Sequence, residues 1–221
     1  MKKNGSKIKS LTAYEKIRDM ILSGEALPGT RLVLAELEEK MGVGRGPVRD
    51  ALMRLDKSGL VQNIPYKGAV VRLPPSFQEM KHIYQLRVEL EILLAREALY
   101  TISDSDIAGL EQIASAMESS SPEEPYFFHK DRKFHQALYA LAKMHHLQTI
   151  VDHLLDYVEA FLSFRPYSSA DKKRFIQQHA VIIQALKDRN EKVLTETLKE
   201  NIIVGLELVQ KEMSLFSRER N

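Results

Sequence analysis

Residues 42–52 read GVGRGPVRDAL, and this stretch predicts a tight turn that leads into a helix. Its three glycines allow a sharp bend, and its proline suits a first helical position, where the missing N–H has no intrahelical partner to lose. Val48 and Leu52 then recur at helical spacing before Gly59. We therefore predict a turn that lets this helix cross the preceding one and expose its own N-terminus.

Helices and strands can also be predicted before and after this turn. Apolar residues at helical spacing predict two earlier helices, over residues 12–24 and 33–41. Two runs of β-forming residues follow at 60–64 and 69–73, and PYKG at 65–68 is typical of a hairpin turn between them. Three short helices followed by a hairpin form a winged helix-turn-helix, whose third helix enters the major groove of DNA.

Cations occupy the positions at which such a domain meets DNA. Arg45 lies at the exposed start of the third predicted helix. Arg49 follows one turn later on the face opposite the apolar residues, so both side chains can reach guanine or phosphate. Lys67 lies at the tip of the predicted hairpin, where it can meet the DNA backbone or the minor groove. The alternative is that these residues are ordinary solvated cations on a small helical domain.

The overall composition is that of a globular protein with an uneven charge. Of the 221 residues, 44% are hydrophobic and 28% are charged. There is no cysteine. The absence of cysteine excludes disulfides and thiolate metal sites, and it favours a reducing compartment, the cytoplasm. We expect no transmembrane helix and no signal peptide, because no apolar run is long enough.

The charge is unevenly distributed along the chain. Residues 1–75 hold 14 Lys and Arg against 8 Asp and Glu, a net charge of +6. Residues 76–221 hold 18 Lys and Arg against 22 Asp and Glu, a net charge of −4. The charge therefore suits only the first, basic part to bind a polyanion such as nucleic acid.

The tandem prolines at 74–75 indicate a domain boundary, because no helix or strand should run through them. We predict a winged helix-turn-helix domain over residues 1–73, a linker at 74–76 and an all-α domain over 77–221. The protein is thus expected to be mainly α, and its second domain to be an antiparallel bundle of six to seven helices. The helices are predicted over 76–101, 103–118, 126–144, 147–164, 170–188 and 190–217.

Polar side chains interrupt the apolar stripes of this bundle, and an unpaired buried charge is costly, so they should be paired, hydrated or bound to a ligand. Asp131 and His135, one turn apart, form with His179 of another helix an O/N/N set suited to Zn²⁺, Ni²⁺ or Mn²⁺. Arg87 can receive a carboxylate through two hydrogen bonds, and Asn201 also points inward. The alternative is an ordinary buried Asp–His hydrogen bond with a satisfied core histidine.

Several motifs in the first 73 residues form a recognisable set. They are PGTRL at 28–32, GVGRGPVRDAL at 42–52, Leu55, GLV at 59–61 and Gly68. Together, over residues 12–73, they resemble the GntR family of bacterial transcription regulators. The resemblance implies that Arg45 and Arg49 contact DNA and that Gly68 belongs to the wing.

This sequence departs from the family pattern at four positions. Gly44 and Gly46 stand where the family usually has hydroxyl residues that contact phosphate or cap the helix, so they are DNA-binding positions that lack a side-chain contact. Leu34 and Glu38 stand where the family favours Glu and Ala. The departures imply an affinity, or an operator sequence, that differs from the family norm.

A second set of motifs lies in the C-terminal part. It consists of LRVELE at 86–91, Asp131 with His135, and QHA at 178–180. This set resembles the FCD domain, the effector domain of the FadR branch of the same family. In many members of that branch an Asp and three His bind a divalent metal, and an organic acid completes the coordination. The resemblance implies a metal at Asp131, His135 and His179 and an effector near Arg87 and Asn201, with Asn201 in the place of the third His, which is the fourth ligand.

These features predict a ligand-responsive bacterial regulator, by family default a repressor, that binds a palindromic operator in double-stranded DNA as a homodimer. A small carboxylate metabolite bound near a divalent metal is expected to control operator affinity. One alternative is a DNA-binding dimer without metal, whose helical domain binds a different effector or only dimerises. Another is a metal-dependent hydrolase or lyase, but no second carboxylate is evident for acid–base work, so we expect no enzyme.

Overall fold

The computed structural model describes residues 2–57, 59–73, 75–118, 127–162 and 168–218, which include 12 helices and strands. The chain divides into two compact units. The first comprises Met1–Pro74 and Asp156–Phe164, and the second comprises Pro75–Leu155 and Arg165–Asn221. The division thus sets apart residues 156–164, which the sequence groups with the all-α domain. Pro74, in the predicted linker 74–76, lies outside the described residues.

Up to residue 73 the first unit contains three helices and three strands among its described residues. In chain order these elements are α1 (Lys2–Leu22), β1 (Arg31–Val33), α2 (Leu34–Met41), α3 (Arg45–Lys57), β2 (Val61–Ile64) and β3 (Gly68–Val71). The strands form a sheet of order β1-β3-β2, with both pairs antiparallel. The strand β1, which the sequence did not predict, is only three residues long and pairs with the second strand of the predicted hairpin.

The core of this unit explains the position of α3. The helices α1 and α3 pack against each other, with Ile17, Ile21, Leu52 and Leu55 almost fully excluded from solvent. Burying such a side chain contributes roughly 1.5–3 kcal/mol, so this contact holds α3 firmly. The preceding helix α2 stops at Gly42, which takes a left-handed conformation with φ +66°. The apolar face of α3 is therefore buried and its first turn is left exposed.

A glycine is required at position 68, where β3 begins and pairs with β1. It pairs with Val33 across β1 and β3 and has φ +118°, a value that side-chain-bearing residues rarely adopt. A Cβ atom added there would lie 2.0 Å from the carbonyl oxygen of Leu32. The wing glycine thus allows two backbone segments to approach closely.

The second unit is all-α in its described residues, which confirms the predicted mainly α class. Its helices are α4 (Phe77–Thr101), α5 (Asp104–Glu118), α6 (Phe127–Ala140), α7 (His145–Leu162, of which the part from Asp156 is grouped with the first unit), α8 (Ser169–Lys187) and α9 (Glu191–Arg218). Ser76 caps α4 by accepting the Glu79 N–H at 3.2 Å.

The helices α4, α6, α5, α8 and α9 pack in a closed series of neighbouring pairs. In this arrangement one face of each of the five helices lies towards a common interior. Among the described helices, none is long and apolar enough to cross a bilayer.

Candidate DNA-binding surface and metal centre

The first turn of α3 carries Arg45 as its first residue, two positions before the proline at which the sequence predicts the helix to begin. The Arg45 side chain is exposed, and its Nε lies 3.6 Å from Oε1 of Glu38 on α2. Gly44 and Gly46 flank it, and a Cβ at either position would meet nothing within 4 Å. Packing therefore does not require these two glycines, and the surface around Arg45 is open.

Arg49, one turn further along α3, contacts the wing. Its guanidinium carbon lies 5.3 Å from the centre of the Tyr66 ring. Tyr66 and Lys67 are both exposed at the wing tip, where the Lys67 N–H donates to the Ile64 carbonyl at 3.0 Å and closes the turn. The exposed start of α3 and the tip of the wing thus form one polar surface of the first unit.

The five polar residues that the sequence places inside the bundle are all buried. Their exposed fractions lie between 1% and 9%. Three of them meet, since the potential ligand atoms of Asp131, His135 and His179 all lie within 4.8 Å of one another. Oδ1 of Asp131 is 3.8 Å from Nε2 of His135 and 3.4 Å from Nε2 of His179. The predicted metal ligands from α6 and α8 therefore come together.

Hydrogen bonds at the far side of each imidazole determine which nitrogen faces this cluster. Nδ1 of His179 lies 2.7 Å from the Phe175 carbonyl, which can only accept, so Nδ1 carries the proton. Oη of Tyr139 donates to Oε2 of Glu91 at 2.6 Å and accepts from Nδ1 of His135 at 3.2 Å. Both histidines therefore present the Nε2 lone pair towards Asp131, as metal-binding histidines do.

The environment keeps both imidazoles neutral. Burial lowers the pKa of His179 to about 4. Burial also lowers the pKa of His135, although the charge of Asp131 acts in the opposite direction. Burial and the charge of Glu91 raise the pKa of Tyr139 well above its ordinary value, so this hydroxyl stays protonated and keeps its role as donor. Neutral imidazole is the form that coordinates a metal.

Arg87 is engaged by a carboxylate of its own helix. Its Nε donates to Oε1 of Glu91 at 2.7 Å, and the guanidinium lies 4.6 Å from the centre of the Tyr84 ring. Burial alone would lower the pKa of Arg87, but the charge of Glu91 raises it. The charge of Arg87 is thus balanced within the protein, and Glu91 joins it through Tyr139 to His135.

Asn201 is hydrogen-bonded to a neighbouring helix, and a pocket lies beside His179. Nδ2 of Asn201 donates to Oε1 of Gln178 at 3.1 Å, so this bond uses the amide nitrogen and not the oxygen. A pocket of about 410 Å³ lies between α5 and α8, and His179 is part of its lining. Polar residues on its walls include Glu111, Ser115, Glu118, Gln184 and Lys187.

Four residues of these sites are not among those predicted from the sequence: Glu91, Tyr139, Glu38 and Tyr66. Glu91 and Tyr139 each lie one helical turn after a predicted site residue, Arg87 and His135, and this spacing is the signal that could have found them. Glu38 was noted only as a departure from the family pattern. Tyr66 carries no signal beyond its place in the predicted turn.

Comparisons with known proteins agree with this architecture. Residues 9–71 match the bacterial regulatory proteins of the gntR family, and residues 82–202 match the FCD domain. The HTH-type transcriptional repressor RspR of Escherichia coli is 28% identical over 216 residues, which cover 93% of this chain and 92% of that protein. An uncharacterized HTH-type transcriptional regulator in an unstable DNA locus of Streptomyces ambofaciens is 30% identical over 179 residues, 79% of this chain and 74% of that protein.

A solved structure shows the same fold. The structure of Escherichia coli McbR/YncC superposes with a TM-score of 0.78 at 20% sequence identity and covers 96% of this chain and 99% of its own. The two family matches define the class of the protein as a DNA-binding transcription regulator. The chain belongs to the GntR family of bacterial regulatory proteins, and its second part is an FCD domain. These are families of transcription regulators and not of enzymes.

Proposed function

We propose that the protein is a transcriptional repressor that binds a palindromic operator as a homodimer in the cytoplasm. The relative RspR is named a repressor, which supports the direction of control. In such modules, two-fold protein symmetry places two recognition helices on two half-sites. Arg45 and Arg49 would contact base edges or phosphates, and Lys67 would contact the backbone beside the wing.

We further propose that Asp131, His135 and His179 hold a divalent metal ion, Zn²⁺, Ni²⁺ or Mn²⁺. One observation carries this proposal. Nε2 of His179 is buried, has no hydrogen-bond partner among the described residues and lies 3.4 Å from a carboxylate oxygen. Leaving such an atom without a partner is costly, whereas a cation bound there would take the lone pair of this nitrogen and be attracted by the negative charge of Asp131. The donor set therefore fits a divalent metal.

The effector in this proposal is a small organic acid whose carboxylate completes the metal coordination. The pocket between α5 and α8 supports this proposal, because His179 belongs both to its lining and to the ligand cluster. Arg87, predicted as a carboxylate receptor, is held by Glu91, so an effector carboxylate would have to compete with that ion pair. We therefore assign the anchoring of the effector to the metal and not to Arg87. An effector that binds one state of the dimer better would shift operator affinity by that difference.

The same ion pair favours a second candidate function. If Arg87 serves only to balance Glu91, the helical domain dimerises without metal or binds an effector of another kind. Metal binding separates the two functions. We would strip the protein with a chelator, add Zn²⁺, Ni²⁺ or Mn²⁺ separately, and measure the bound metal and the shift in melting temperature.

The metal proposal expects one ion per chain and a clear stabilisation in the unsubstituted protein. His179→Ala should abolish both, and His146→Ala should retain them, because His146 is exposed on α7. Equal metal binding by His179→Ala and the unsubstituted protein would support the second candidate. A screen of organic acids for an effect on DNA binding in the presence of metal would then identify the effector class.

The DNA proposal has its own test. A duplex selected by the unsubstituted protein from a randomised library should contain an inverted repeat. Arg49→Ala should weaken binding to this duplex and lower the slope of log affinity against log salt by about one. The matched control is Arg174→Ala, which removes an exposed cation from the second unit. Equal binding by Arg49→Ala and the control would contradict the assignment of Arg49.

A further inference from the structure

Tyr66 at the wing tip holds a conformation that the packing of the first unit does not explain. Its φ is +63°, in the left-handed region that glycine and asparagine tolerate and bulky residues avoid. The side chain is 77% exposed, so burial of the ring contributes little in return. A strained and exposed aromatic residue is not what the stability of this turn demands, and such strain clusters at functional sites.

The ring of Tyr66 has one aromatic–cation contact of note. The guanidinium carbon of Arg49, on α3, lies 5.3 Å from the centre of the ring. Arginine stacks well on aromatic faces, and this contact restricts a long side chain that would otherwise sample many rotamers. A side chain restricted in this way would lose less entropy on binding a ligand.

We propose that Tyr66 is a DNA-recognition residue. Its ring holds the Arg49 guanidinium in the orientation needed for a base contact, and its hydroxyl donates a hydrogen bond to a backbone phosphate. The neighbouring Lys67 would bring the phosphate close by charge attraction, and tyrosine is a common donor to DNA phosphates. This inference rests on the proposal that Arg49 contacts DNA.

Two substitutions of Tyr66 separate the effects of its backbone strain, its aromatic ring and its hydroxyl group on DNA binding. Tyr66→Asn removes the ring but suits the left-handed backbone, so the melting temperature should stay the same or rise. Its affinity for the duplex selected by the unsubstituted protein should fall about tenfold. Tyr66→Phe keeps the ring and should lose about threefold, with an unchanged salt slope because a neutral hydrogen bond releases no counterion. Tyr100→Phe, at an exposed tyrosine of the second unit, is the matched control and should bind like the unsubstituted protein.

A double substitution tests whether Tyr66 acts through Arg49. If the ring serves to hold Arg49, Tyr66→Asn combined with Arg49→Ala should bind only about threefold more weakly than Arg49→Ala alone. A loss equal to the product of the two single losses would overturn the positioning role. Full affinity of Tyr66→Asn, or a fall in its melting temperature alongside the weaker binding, would overturn the inference.

The outcome for Arg49→Ala distinguishes this inference from the proposed function. If Arg49→Ala binds normally, the role of Arg49 in DNA binding fails and positioning by Tyr66 fails with it. If Arg49→Ala weakens binding and Tyr66→Asn does not, only the present inference fails.

Discussion

Nε2 of His179 lies 3.4 Å from Oδ1 of Asp131, although the two side chains come from different helices, α8 and α6. The imidazole is 1% exposed and its Nδ1 is already used by the Phe175 carbonyl. A neutral histidine is thus held with its lone pair directed at a carboxylate. We therefore expect the stability of the protein to respond both to protons and to added divalent cations.

The metal-free protein should lose stability as the pH falls from 6.5 towards 4. Since burial lowers the pKa of His179 from 6.5 to about 4, the unfolded chain binds a proton in this range that the folded chain does not. Stability is fully present above pH 6.5, and its loss should approach roughly 3 kcal/mol near pH 4.

Urea unfolding of the chelator-treated protein at pH 7 and pH 5, at one protein concentration, measures this change. His179→Gln should show a smaller difference between the two pH values. His146→Gln should behave like the unsubstituted protein. An undiminished difference in His179→Gln would contradict the prediction.

Tyr139→Phe should weaken metal binding at the cluster. Without its hydroxyl, Nδ1 of His135 loses the acceptor that fixes the tautomer, and Oε2 of Glu91 loses a donor. Removing such a supporting partner typically lowers metal affinity about 10- to 100-fold. Competition with a chelator of known affinity measures this effect, and Tyr100→Phe is the control outside the cluster. Unchanged affinity would show that His135 does not depend on Tyr139.

Glu38→Ala should strengthen DNA binding. Glu38 holds Arg45 with an Nε–Oε1 distance of 3.6 Å, and a partly exposed pair of this kind contributes only about 0–1 kcal/mol. Removing it should release Arg45 for DNA at little cost in stability and raise affinity about two- to fivefold.

Fluorescence anisotropy with the selected duplex at low salt measures this change. Glu39→Ala removes the same charge from the next position of α2 and controls for the general charge effect. A gain no larger than that of Glu39→Ala would contradict a specific role for Glu38.

Alanine substitutions of Gly68 and Gly46 should differ clearly in their effect on the free energy of unfolding. Gly68→Ala places a Cβ 2.0 Å from the Leu32 carbonyl oxygen at a φ of +118°, and should cost at least about 2 kcal/mol. Gly46→Ala, in the first turn of α3, meets nothing within 4 Å and should leave stability unchanged or raise it by up to about 1 kcal/mol. Thermal unfolding of both variants tests this, and equal melting temperatures would refute the close approach at Gly68.

Local patterns explain why so much of the fold could be predicted. The α2 prediction over 33–41 and the observed Leu34–Met41 differ by one residue, because Gly42 ends the helix by a purely local preference. The burial of the five inward polar residues followed from helical spacing alone. The helix predicted to start at residue 12 begins instead at Lys2, and β1 was not predicted, because three residues show no periodicity.

The amino-acid sequence by itself determined the order of the elements, the faces that are buried and the candidate ligands, since each depends on neighbours within one or two helical turns. Only the tertiary structure decided which side chains of different elements meet. It brought His179 to Asp131, joined Tyr139 to Glu91 of another helix, and placed Tyr66 beside Arg49. Such contacts depend on how helices and strands pack and on which rotamers remain allowed, and no spacing along one helix contains that information.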